Sequence, residues 1–198
     1  MLKLLNVQKA IKDAVEDVIF QARRQLSRKQ VYKQNDGTSR AKKIDTTGAL
    51  WKSLKYKPIE GDGIKTPFTT EVLMAYYGYF IDQGVDGTQH KTPKGSPYSF
   101  RTDTVGPSMQ YGIFQWMRAK RIRFREAGTG RFAKGKITDK SYESLAYVIA
   151  RSVKRKGINQ TFFMTNALNA LDKKFPDQIE KALAKDIENY LNELNSTK

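Results

Sequence analysis

The side chains with the strongest chemical bias in this chain are cationic. Arg118, Lys120, Arg121, Arg123, Arg125, Arg131, Lys134 and Lys136 crowd residues 118–136 against a single acid, Glu126. A second basic zone runs from Arg23 to Lys43 and holds Arg24, Arg28, Lys29, Arg40, Lys42 and Lys43; a third spans Arg151 to Lys156. Guanidinium and ammonium groups at this density bind phosphates or carboxylates. The formal net charge of +16 and pI of about 9.9 raise the odds of a polyanionic partner, which is nucleic acid, an anionic membrane or an acidic protein surface. Phe124 and Phe132 stand among the arginines, where they either stack on bases or form the inner face of a hairpin.

Catalytic chemistry is harder to place. The chain has no Cys and one His, His90, in a polar stretch, so neither a disulfide framework nor a thiolate or imidazole metal site is expected. Asp82, Asp86 and Asp103 lie near one another in sequence but without the spacing of a two-metal site. Gly130 to Lys136 matches G-x-x-x-x-G-K, yet Ile137 follows where Ser or Thr would reach magnesium, and a charged segment precedes it instead of a buried strand. No nucleophile–base pair is evident, so no enzyme and no cofactor are expected.

The elements that must carry the basic zones follow from periodicity. Leu4, Val7, Ile11, Ala14, Val15, Val18, Ala22 and Leu26 predict an amphipathic helix from Leu4 to about Lys29. Gln30 to Lys43 reads as a mobile loop with a turn at Asp36-Gly37. Asp45, Thr46 or Thr47 caps a short helix bearing Leu50, Trp51 and Leu54, and residues 54–74 read as a β-hairpin turning at Glu60-Gly61-Asp62-Gly63. The run Thr69 to Gly84 is the most apolar and aromatic in the chain; it predicts a core strand entering a short helical turn that ends at Gly84. Val85 to Gly106 has no periodicity and is expected to be functional or disordered.

Further helices are predicted over Pro107 to Arg121, with Met109, Ile113, Trp116 and Met117 on one face, and from Thr138 or Asp139 to Lys156, stopped by Gly157. Between them, residues 121–137 alternate basic and apolar around Gly128-Thr129-Gly130, the pattern of a basic hairpin or extended arm. Two closing helices follow. The last opens at Pro176, its charges read as balanced, and Ile179, Leu183, Ile187, Tyr190 and Leu194 form a stripe that packs within the protein or on a neighbour. The expected class is α+β: a small antiparallel sheet packed by a long N-terminal helix and C-terminal helices, with a helix–basic hairpin–helix segment inserted. No stretch approaches the roughly 20 apolar residues of a membrane span. The first residues lack the long apolar region of a signal peptide, so none is expected.

Three segments, taken together, carry a family resemblance. Asp45-Thr46-Thr47-Gly48-Ala49-Leu50-Trp51-Lys52-Ser53-Leu54 resembles the D-T-G-x-L-x-x-S-[IL] stretch of the tail-completion, or neck (head–tail joining), proteins of tailed bacteriophages, with one extra Thr. Tyr77 to Gly84 is similar to their Y-A-x-Y-[VI]-E-x-G, with Gly for Ala, Phe for Tyr and Asp for Glu, and Thr161 to Leu168 is similar to their P-F-[FM]…A-[LF]. The likeness covers about 1–84 and 158–194 and departs over 85–157, which reads as an insertion in a single domain spanning 1–198. It implies a structural virion subunit without catalytic site or cofactor, assembled in the host bacterial cytoplasm. It implies a homo-oligomeric ring in the neck, with portal or adaptor and tail proteins as partners, packaged DNA in the channel and no membrane. The basic residues of 118–136 and 23–43 are then contacts to neighbours or DNA. The alternative is a non-enzymatic nucleic-acid-binding protein using the 118–136 hairpin.

Overall fold

Helix α1, Leu5–Ser27, forms where the apolar stripe recurs at helical spacing. Val7, Ala14, Val15, Val18, Ala22 and Leu26 are buried as the pattern requires, and Ile19 joins them. Its first turn has no side-chain cap of its own. The orphan N–H groups are instead met from the far end of the sequence: Asp186, only 3 % exposed, accepts from Asn6 N and Val7 N at 3.0 Å and from Asn6 Nδ2 at 2.7 Å.

The computed structural model describes residues 2–33, 39–43, 48–122 and 138–196, with backbone alone over 29–33 and 39–43. The described chain is mostly helical with small antiparallel strand pairs, compatible with a mixed α+β class. It divides into two units: residues 1–82 with 161–198, and residues 83–160.

In the first unit α1 is followed by β1, Lys29–Lys33, and β2, Ser39–Lys43, which pair antiparallel. The mobile loop expected over 30–43 is therefore corrected. Lys29 pairs with Lys43, Val31 with Ala41 and Tyr32 with Arg40, an extended ribbon that charge content alone had hidden. The Asp36-Gly37 turn lies outside the described residues. Helix α2, Ala49–Ser53, starts after Gly48, whose φ is 76°; Asp45, Thr46 and Thr47, the expected caps, are not among the described residues. The 54–74 hairpin is present in short form. β3, Lys55–Tyr56, pairs with β4, Val72–Leu73, and a bridge joins Glu60 to Thr69. Its turn is organised by Asp62, whose carboxylate accepts from the backbone N–H groups of Ile64, Lys65 and Thr66.

Helix α3 spans Gly78–Gln83, helix α6 Phe163–Asp172 and helix α7 Phe175–Ser196. Leu26, Leu50, Leu54, Phe163, Met164 and Ala167 form one apolar core with the middle of α1, flanked by Ile81 and Met74. Helix α7 runs from Phe175 to Ser196. The charge balance expected of the last helix is thus corrected: five acids stand against Lys181 and Lys185.

The second unit holds α4, Pro107–Ala119, and α5, Asp139–Lys156. Thr138 caps α5, its Oγ1 accepting from Ser141 N at 3.3 Å. The two helices pack through Phe114, Met117 and Ala146, with Ile113, Ile122, Tyr142 and Leu145 beside them. Trp116, expected on the inner face of α4, is partly exposed, and Phe114 takes the inward position instead. Residues 123–137, including the expected basic hairpin and the G-x-x-x-x-G-K match, lie outside the described residues. The 85–106 segment forms no helix or regular strand, but it is tied down. Val85 exchanges backbone bonds with Ile158, and Thr88 N and Gln89 N donate to the carbonyls of Lys154 and Arg155. The backbones meet at Gly87 and Gly157, where a Cβ on either residue would collide with the other strand. Among the described residues no helix is long and apolar enough to cross a membrane.

Candidate functional site

The basic residues singled out above have different fates. Arg23 is built into its own unit. Its NH2 group donates to Leu54 O at 2.7 Å, Nε donates to Trp51 O at 3.3 Å, and the guanidinium lies 4.4 Å from the Trp51 ring centroid. Arg24 and Arg28 are exposed on the last turns of α1 and just beyond it, and the backbone register of the ribbon brings Lys29 beside Lys43 and Lys42 beside Gln30. The end of α1 and the base of the ribbon thus collect Arg28, Lys29, Lys42 and Lys43, and Arg40 follows along β2.

Arg118 sits in the other unit, 3.6 Å from the Asp139 carboxylate and 5.6 Å from the Phe114 ring centroid. Lys120 and Arg121 are exposed at the end of α4. Arg123, Arg125, Arg131, Lys134 and Lys136 are outside the described residues.

The third basic zone is committed internally. Arg155 Nε donates to Asp103 Oδ2 at 3.0 Å, Arg151 Nε lies 3.5 Å from the same oxygen, and Lys154 Nζ donates to Thr104 O. The Arg155 bond, aided by the nearby charges, holds the Asp103 carboxyl below the usual carboxylate range. These cations fasten the 85–106 segment to α5.

The carboxylates close in sequence, for which no catalytic role was expected, have separate structural duties. Asp82, 4 % exposed, caps α6: Oδ1 accepts from Met164 N at 2.7 Å and Thr165 Oγ1 donates to Oδ2. The Asp82 carbonyl also accepts from Thr161 N and Phe162 N, which holds Phe162 at a φ of 50°. Asp86 accepts from Thr92 N at 2.8 Å and Thr92 Oγ1 at 2.6 Å, bonds that depress its pKa. His90 is exposed. Among the described residues no three His, Cys, Asp or Glu side chains are grouped to hold a metal ion.

The aromatic run required the largest correction. Expected as core, it exposes Leu73, Tyr76, Tyr77 and Tyr79, with Tyr76 at 75 %. The short helix α3 turns Gly78 and Asp82 inward, so the neighbouring tyrosines face out. Tyr76 packs edge-on against Phe80 at 5.3 Å and against Tyr79 at 6.3 Å, which makes an ordered aromatic surface. A second apolar surface was not foreseen in the sequence. Phe20, 61 % exposed, and Trp51 border an open groove of about 800 Å³ floored by Ile19 and Leu54 and edged by Arg24, Lys55 and Tyr56. Phe20 falls off the α1 stripe, and that was the available signal. Comparison of the chain with protein-family models, with curated protein sequences and with solved structures yields no match.

Proposed function

We propose that this chain is a structural virion protein of a tailed bacteriophage, a subunit of the neck or head–tail connector ring that joins the portal to the tail around the DNA channel. The observation that carries the reading is the meeting of three separate segments. Leu50 and Leu54, from the segment resembling the D-T-G stretch, share one core with Phe163, Met164 and Ala167, from the segment resembling P-F-[FM]. Asp82, from the Tyr-rich segment, caps the helix that Phe163 opens. The three segments that carry the likeness to one family are therefore parts of one packed unit. Around that unit lie exposed aromatic and basic surfaces, suited to protein partners and to phosphate.

In this reading the sheet packed by the N- and C-terminal helices is the family frame and the segment 85–157 is an addition to it. The chain has no catalytic role, and further copies of itself, portal or adaptor and tail proteins are its partners. The 118–136 segment and the 23–43 zone reach neighbouring subunits, the portal or the DNA. Cryo-electron microscopy of the particle tests this. Density for the chain in a ring between portal and tail, with those segments against a neighbour or the channel, is expected. Absence from the particle, or both segments in bulk solvent, overturns it.

A second reading, a free nucleic-acid-binding protein, draws on the β1–β2 ribbon, because a two-stranded ribbon with cations on both strands suits the major groove. It requires the isolated monomer to bind duplex DNA, with log K falling by about 0.9 per phosphate contact for each unit of log salt.

A further inference from the structure

We infer that successive copies of this chain join head to tail, the C-terminal half of α7 in one copy seating in the Phe20–Trp51 groove of the next. The inference rests on the ring reading above and adds to it the contact that closes the ring. Leu183, Ile187, Leu191 and Leu194 are all at least 40 % exposed. Their four-, four- and three-residue steps place them on one face, an unpartnered ridge roughly 16 Å long at 1.5 Å per residue.

The helix cannot use its own groove. α7 runs antiparallel to α1: Gln178 and Lys181 of α7 line a cleft with Ala10, Asp13, Ala14 and Asp17 of α1, and Asp186 meets Asn6 and Val7 at the start of α1. The helix beyond Asp186 therefore continues past the N-terminus of α1. The groove lies along the other end of α1, from Glu16 to Ser27, with about 20 Å of helix between Asn6 and Phe20 at the same rise. Ridge and groove thus occupy opposite ends of one unit. Two such patches on one subunit make a heterologous contact, which repeats into a ring wherever its rotation closes.

Charge selects the same occupant. In a chain of net charge +16, α7 is acidic, and its overhanging part 187–196 carries Glu188 and Glu193 with no cation. The groove is apolar at its floor, and its charged lining is Arg23, Arg24 and Lys55 against one acid, Glu16. An amphipathic acidic helix in a basic-rimmed apolar groove is a common recognition mode, with rim charges setting register and salt dependence.

The test uses the full chain and two variants at exposed positions, Leu191→Glu on the ridge and Phe20→Glu in the groove, followed by native mass spectrometry and sedimentation. Thermal melts within a few degrees of wild type establish that both variants fold. The wild-type chain is expected to form multimers, and each variant alone is expected to be monomeric, with self-association weakened at least about 30-fold. Mixing the two variants is expected to give a 1:1 heterodimer that grows no further, because one intact ridge and one intact groove remain between them. Multimers that survive either substitution overturn this contact while leaving the ring reading in place. A wild-type chain that stays monomeric at the highest concentration also overturns the contact, and the neck role is then decided separately by the particle experiment. Variants that rescue nothing on mixing show a symmetric contact and reject the head-to-tail arrangement.

Discussion

The two units of this chain are held together in different ways. Residues 1–82 with 161–198 close over large side chains, among them Phe163, Leu26, Leu50 and Leu54, all at most 2 % exposed. Residues 83–160 have a thinner interior of Phe114, Met117 and Ala146 between two helices. Their long segment 85–106 is fixed by polar ties: Asp86 to Thr92, Asp103 to Arg151 and Arg155, and backbone bonds at Gly87. One unit depends on burial of apolar area, the other on hydrogen bonds and close backbone approach. The first unit is therefore vulnerable to cavities and the second to a methyl group or a proton.

The largest expected effect lies in the first unit. Phe163→Ala empties a site at the centre of the core and is expected to cost about 3–5 kcal/mol, read as a shift of the denaturation midpoint. If amide protection in α4 and α5 fell as much as in α1 and α6, the contrast between the units would collapse. Asp82→Ala follows, at about 2 kcal/mol, because Met164 N and the Thr165 hydroxyl lose a buried acceptor. Hydrogen exchange should show the first turn of α6 opening before the rest of the helix. Unchanged protection at Met164 would show that Asp82 is not the cap.

Legibility in the sequence divided along the same line. The α1 stripe, the α5 cap at Thr138 and the stop at Gly157 were all readable, because helix periodicity and end signals are local. The hairpin of 54–74 was readable from alternation, although only two residues on each strand pair regularly. The aromatic run misled because composition favours burial while orientation decides it; Tyr76, just before α3, and Tyr79, on its outer side, are exposed. The 30–43 ribbon was hidden by its charge. The duties of Asp82 and Asp186 were not legible at all, since their partners stand 82 and 180 residues away along the chain. Of the candidate contacts, the sequence located the basic zones but not that Arg23, Arg151 and Arg155 are engaged internally.

The second unit yields the smaller tests. Gly87→Ala adds a methyl group where the Arg155 carbonyl and the Gly157 amide already crowd the backbone. A destabilisation of somewhat more than about 1 kcal/mol is expected, since the chain must shift to make room. Loss of protection at Thr88 and Gln89, whose N–H groups donate to Lys154 and Arg155 at 3.0 Å, is the readout. An alanine variant with full protection there would show that the approach is looser than described.

Acid gives the smallest and most selective effect. Asp103 is held below the ordinary carboxylate range by Arg155, and Asp86 by the Thr92 hydroxyl. A carboxyl whose folded pKa lies below its unfolded value of about 3.9 adds stability that is complete above that value. The contribution fades as pH falls toward the folded pKa, because protonation then favours the unfolded chain. Both groups are surface ties, so the global melting point should move little. The local effect is sharper: below about pH 4, protection at Thr88 and Gln89 should decline while that of α1 persists. In the first unit the turn at Asp62, pulled down to about 2 by backbone N–H groups of Thr66, Ile64 and Lys65, should hold until the pH approaches that value. Asp103→Asn should weaken the tie at neutral pH and flatten its response to acid. An Asp103→Asn variant that titrates like wild type at Thr88 and Gln89 would assign the acid sensitivity to Asp86 and leave the Arg151–Arg155 clasp without a part in holding the segment.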